Sequence, residues 1–142
     1  MMTNKIKESI AIRLNSEFGD EFTIYTEPIK QGFKEPCFFI KLLTSKQKQI
    51  LGKRYFKEHS FDVHYFPSNN DKNSEINNME ERLNDSLEYI TLEDTYIRGS
   101  KIHSEYVDEV LHFFVNYNLF ILKEHEISEP METLKVKNGL KG

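Results

Sequence analysis

Along residues 107–122, VDEVLHFFVNYNLFIL, apolar side chains occupy every second position. Leu111, Phe113, Val115, Tyr117, Leu119 and Ile121 form an unbroken row, the period-two pattern of a strand with one face in a core. The opposite face mixes His112, Asn116 and Asn118 with Phe114 and Phe120. It therefore predicts a central strand whose second face meets a wetter layer or another chain. Residues 37–44 alternate in the same way, with Phe38, Ile40 and Leu42 on one face and Cys37, Phe39 and Lys41 on the other. A strand over residues 53–66 turns Phe61, Val63 and Tyr65 inward and Asp62 and His64 outward, until Pro67 ends the ladder by removing a donor. Residues 22–26 predict a short strand, and residues 95–103 pair with 107–123 as a last hairpin.

Helical spacing appears twice. Ile6, Ile10, Leu14 and Phe18 share one stripe behind Thr3, a candidate N-cap, and ahead of Gly19, a candidate stop. Ile76, Met79, Leu83, Leu87 and Ile90 recur at steps of three and four and predict a second helix over residues 74–90. Residues 27–36 carry two prolines and a glycine and read as a loop; Gly52 breaks or bends the chain, and residues 68–73 are polar turn formers. The order helix, strands, helix, strands predicts an α+β fold, a mostly antiparallel sheet with two helices packed on one face. The reading places one domain over residues 1–129 and a lightly ordered tail over 130–142. The far face of the sheet would then carry Lys41, Asp62, His64, His112, Asn116 and several large aromatics, and it needs a cover.

Length changes little: 142 residues make one domain that buries roughly 68–70% of its unfolded surface. The single cysteine, Cys37, excludes an internal disulfide and a Cys-based zinc site, and reads as a small buried hydrophobe suited to a reducing compartment. No signal-peptide core or membrane span stands out, which predicts a cytosolic protein. Charge is more informative. Residues 1–60 hold eleven Lys/Arg against seven Asp/Glu and residues 61–142 eight against sixteen, halves of +4 and −8. Lys41, Lys46, Lys48, Lys53, Arg54 and Lys57 form a basic stretch without an acid. These charges read either as solvated faces or as complementarity between neighbouring copies of the chain.

Candidate chemistry is sparse. The element order is shared with a metal-dependent nuclease core, but that core needs an Asp/Glu-x-Lys to hold Mg²⁺ and polarise water. The chain has none; Asp62-Val63-His64 is the nearest approach. His59, His64, His103, His112 and His125 include no pair at strand or helix spacing. Asp62, His64 and His112 would make a ligand set only if adjacent strands brought them together, and plain cross-strand polar pairing is the commoner outcome. There is no G-x-S-x-G and no phosphate-cradling glycine loop. Tyr55 and Phe56 interleave with the basic stretch, as in single-strand nucleic-acid binders, whereas the overall acidity opposes that reading.

Residues 24–27 (IYTE), 31–40 (QGFKEPCFFI), 52–55 (GKRY), 60–67 (SFDVHYFP), 97–99 (IRG) and 107–117 (VDEVLHFFVNY) resemble, in order and spacing, the phage tail terminator family of contractile-tailed phages and prophages of Gram-positive bacteria. The resemblance runs from the first helix to about Leu122. It implies a structural protein, not an enzyme, with no cofactor and no catalytic or metal-ligating residue. It further implies a homo-oligomeric ring, a hexamer, on the head-proximal end of the tail tube, where it stops polymerisation and forms the head-tail joining surface. The implied partners are further copies of the chain, the tail tube protein and a neck or head-completion protein, with transient DNA passage through the lumen and no membrane. The implied location is the host cytoplasm during assembly and then the virion tail.

Loops projecting from a rigid sheet reach neighbours most easily. The candidate interface residues are therefore Gln31, Phe33 and Lys34; Lys46, Lys48, Lys53, Arg54 and Lys57; and Asn69 and Asn70. Gly32, Pro36 and Gly52 read equally as backbone geometry or as interface. The alternatives to a terminator are another head-tail junction or neck adaptor protein and a small metal-dependent nuclease or nucleic-acid-binding protein.

Overall fold

Two helices and six strands follow in the order α1 (Met2–Phe18), β1 (Thr23–Tyr25), β2 (Cys37–Leu51), β3 (Arg54–Phe66), α2 (Lys72–Ser86), β4 (Tyr89–Leu92), β5 (Thr95–Val107) and β6 (Val110–Leu122). They come from a computed structural model that describes residues 2–27, 32, 34–68 and 72–123. The strands form one sheet in the order β1-β2-β3-β6-β5-β4. β1 pairs parallel with β2, Ile24 opposite Phe38, while β4–β5 and β5–β6 are antiparallel. This is the expected α+β class. The chain divides into two compact units, Met1–Lys46 with Lys57–Leu119 and Gln47–Phe56 with Phe120–Gly142.

The core lies in the first unit. Ile6, Ile10, Leu14 and Phe18 of α1 and Ile76, Met79 and Leu83 of α2 pack with Phe61, Val63 and Tyr65 of β3 and Leu111, Phe113, Val115 and Tyr117 of β6. Both helices thus bury their stripes on the face the alternation assigned inward. Phe18, Phe38 and Tyr65 form a tilted aromatic run with centroids 5.3 and 5.2 Å apart. The Tyr65 hydroxyl donates to the Glu75 carboxylate. Glu75 lies in the first turn of α2, where the helix dipole favours an anion.

Several expected boundaries move. α1 begins at Met2, so Thr3 lies within its first turn and does not cap it; Gly19 does end it, with φ +85°. α2 stops at Ser86, and Ile90 belongs to β4, where Ile90 and Leu92 are buried and Tyr89 and Thr91 exposed. Steps of four and three from Leu83 to Leu87 to Ile90 satisfy a helical pattern, but YITL alternates as well, and pairing with β5 decides it. β2 runs on to Leu51 although residues 43–51 are exposed; adjacency to β3 sustains a strand that buries no face there. Val107 closes β5 instead of opening β6, across a two-residue turn in which Asp108 and Glu109 take φ +52° and +65°. Double positive φ is the hairpin geometry that matches strand twist. The expected tail over residues 130–142 lies outside the described residues.

Candidate functional site

The structure places the sequence-predicted interface residues apart: some lie outside the described residues, Lys34, Lys46 and Lys57 lie in the first unit, and Lys48, Lys53 and Arg54 lie in the second. Gln31, Phe33, Asn69 and Asn70 lie outside the described residues. Lys34 is exposed, and its backbone N–H donates to the Tyr25 hydroxyl at 3.0 Å. In the first unit, Lys46 is exposed and Lys57 half-buried. The second unit gathers Lys48, Lys53 and Arg54, all exposed, around the Gly52–Lys53 turn. None of these three makes an ion pair with a described residue.

That second unit also holds residues absent from the sequence-based set. Leu51 is 79% exposed, Leu122 68% and Phe120 65%, with Ile50 also open to solvent. Phe56 packs against Phe120 with centroids 4.9 Å apart, and the Lys123 ammonium lies 4.6 Å over the Tyr55 ring. The Lys123 N–H donates to the Lys53 carbonyl at 2.8 Å, and the Gln49 amide to the Gly52 carbonyl at 2.7 Å. The turn is thus held by its own polar contacts while large apolar side chains face water. The second unit thus combines large exposed apolar side chains with exposed cations, the composition found at many interaction surfaces. Its sequence signal was Phe120 on the mixed face of β6 and the apolar pair Ile50-Leu51 at the end of a polar run.

A second constellation lies on the sheet face opposite the helices. Asp62 and His64, two apart on β3, point to the same side, and His112 reaches them from neighbouring β6. His64 Nε2–H donates to Asp62 Oδ2 at 2.8 Å, and His112 Nδ1–H donates to the same oxygen at 3.0 Å. A carboxylate oxygen only accepts, so each facing nitrogen carries the proton. Asp62 is 5% exposed, and its Oδ1 is buried without a hydrogen-bond partner. The imidazole centroids are 4.4 Å apart, edge to face. The cross-strand meeting weighed from the sequence does therefore occur.

The remaining polar core groups are structural. His59 is fully buried, with Nδ1 3.3 Å from the Tyr117 carbonyl, and burial pulls its pKa below the ordinary value. Burial, aided by Glu35, pushes the Cys37 thiol up to about 11, in keeping with an inert buried hydrophobe. Among the described residues no helix is long and apolar enough to cross a membrane. No curated protein matches the chain. A family model described as phage tail terminator protein matches residues 5–129, most of the chain. The chain therefore belongs to the phage tail terminator family, structural and non-enzymatic proteins of the virion tail.

Proposed function

We propose that this chain caps the head-proximal end of the tail tube as a hexameric ring, stops tube polymerisation and offers the neck or head-completion protein its docking surface. The observation that carries this reading is the exposed apolar area of Leu51, Phe120 and Leu122, in the same unit as the exposed cations Lys48, Lys53 and Arg54. A subunit that worked alone would leave that area in water without return. A ring of one chain uses head-to-tail contacts and so needs two unlike patches per subunit. Two features supply unlike surfaces. β1 and β4 end the sheet, each paired on one side only among the described residues, one in a parallel and the other in an antiparallel ladder. The +4 and −8 halves of the chain supply complementary charge.

Stopping polymerisation is an act of binding. The cap matches the tube's open end on one side and fails to reproduce that end on the other, so no bond need be made or broken. Assembly takes place in the host cytoplasm, and DNA passes through the lumen once the head has joined. The test adds purified protein to polymerising tail tubes and measures length by electron microscopy. A terminator limits length; a neck adaptor binds completed tails and leaves length unchanged. Lys53→Glu with Arg54→Glu is expected to abolish capping in a folded protein, and full capping by this variant would refute the charged-docking element.

A further inference from the structure

We propose that Asp62, His64 and His112 form a binding site for one divalent transition-metal ion, with Zn²⁺ the best fit. The inference is independent of the ring, because it rests on side chains of a single subunit.

Ligand chemistry comes first. Two imidazoles and one carboxylate suit the borderline divalent metals, whereas Mg²⁺ and Ca²⁺ favour oxygen-rich shells. One ligand atom from each of the three residues lies within 4.8 Å of the others. In a tetrahedral site with bonds of about 2.0–2.1 Å, ligand atoms stand roughly 3.3 Å apart. The nitrogen-to-oxygen separations of 2.8 and 3.0 Å already approach that edge, and the two nitrogens lie within 4.8 Å of each other.

Burial supplies an independent argument. Asp62 is a buried carboxylate whose Oδ1 has no hydrogen-bond partner, an arrangement that usually has a reason. Two N–H donors crowd onto Oδ2 while Oδ1 goes unused. A cation at the centre of the three residues compensates the buried charge more fully than two N–H donors do.

Presentation is favourable as well. All three residues come from regular positions of the adjacent strands β3 and β6, so the backbone beneath the ligands is rigid. His64 lies nearly parallel to Phe66 at 6.4 Å and 9°, and His112 to Phe114 at 6.2 Å and 14°. These flat neighbours limit how the rings turn. His64 and His112 keep 21% and 24% of their side-chain surface exposed, so an ion has a way in and an outward position remains for water. Such an open position also suits a donor from a neighbouring protein.

Binding makes a definite demand on tautomers. The nitrogens that now donate to Asp62 must instead offer lone pairs, so the proton of His64 moves from Nε2 to Nδ1 and that of His112 from Nδ1 to Nε2. Each proton stays on its own ring, so the exchange of tautomer itself releases none.

The experiment uses the untagged full chain, stripped with chelator, in a competition titration of Zn²⁺ against a chromophoric chelator. Nitrogen-15 spectra of the imidazoles are recorded in parallel. Expected are one Zn²⁺ per chain, no binding of Mg²⁺ and tautomer changes confined to two histidines. His64→Gln and His112→Gln, at partly buried positions, should each weaken binding by at least ~10-fold with unfolding midpoints near that of the parent. His103→Gln, the control at an exposed histidine outside the cluster, should bind as the parent does. No competition at about 100 μM Zn²⁺ overturns the proposal, as does binding that survives His64→Gln and His112→Gln or disappears in His103→Gln.

Discussion

Replacing Gly99 by alanine probes a close backbone approach, the tightest at any described glycine. Gly99 sits on β5 opposite Tyr117 of β6, and its N–H donates to the Glu88 carbonyl at 2.6 Å. A Cβ at Gly99 would stand 2.7 Å from Val115 Cγ2 and 3.2 Å from the Leu87 carbonyl oxygen. That oxygen accepts the Tyr117 hydroxyl at 2.6 Å. Val115 is fully buried and stiff about χ1, and the carbonyl belongs to backbone, so neither neighbour yields freely. Overpacking of this kind costs about 1–3 kcal/mol. Tyr117→Phe keeps the ring but strips the buried Leu87 carbonyl of this donor, at a further cost of about 1–3 kcal/mol. With urea m-values of about 1–3 kcal/mol/M for small proteins, each change should lower the midpoint measurably at constant m.

Both substitutions act on the same carbonyl, so the double variant should depart from additivity by at least about 0.5 kcal/mol. Circular dichroism in urea on the four proteins reads all of this. A cost below about 0.5 kcal/mol for Gly99→Ala, or strict additivity of the pair, would show that the backbone at Leu87 relaxes freely and that the close approach is incidental.

Further outcomes follow from burial and exposure. His59 holds a lowered pKa through burial, so its contribution to stability is present above its ordinary value of 6.5 and is lost as pH falls through the lower folded value. His59→Gln should therefore flatten the fall of the urea midpoint below pH 6.5, and parallel profiles for the two proteins would rule His59 out as its source. The Cys37 thiol, pushed up to about 11, should alkylate far more slowly at pH 8 than in urea-unfolded chain. Its neutral form favours the fold up to the ordinary thiol value of 9.0, and that contribution declines from there to about 11. Leu51→Ser with Leu122→Ser should change the unfolding midpoint by less than about 0.5 kcal/mol equivalent, since both side chains are exposed, while removing capping in the tube-length assay. Retained capping would move the contact surface elsewhere.

Alternation and helical spacing along the chain already carried the core. The inward rows Phe61–Val63–Tyr65 and Leu111–Phe113–Val115–Tyr117 and the α1 stripe are buried as read, because burial of one face leaves a periodic trace in side-chain type. Family membership was legible separately, as a resemblance carried by motifs in order and spacing, and the family match over residues 5–129 agrees with it. Three things were settled only in three dimensions. The identity of residues 89–92 depended on a partner strand, since YITL fits helix and strand alike until β5 pairs with it. The length of β2 depended on backbone hydrogen bonding, which leaves no mark on side chains exposed on both faces. The meeting of Asp62 and His64 with His112, fifty residues away, depended on β3 and β6 lying side by side, and non-local pairing is the information a linear pattern lacks. Exposure of Leu51, Phe120 and Leu122 belongs with these, because a leucine in a strand says that a face is apolar and only the packed molecule says whether that face is covered.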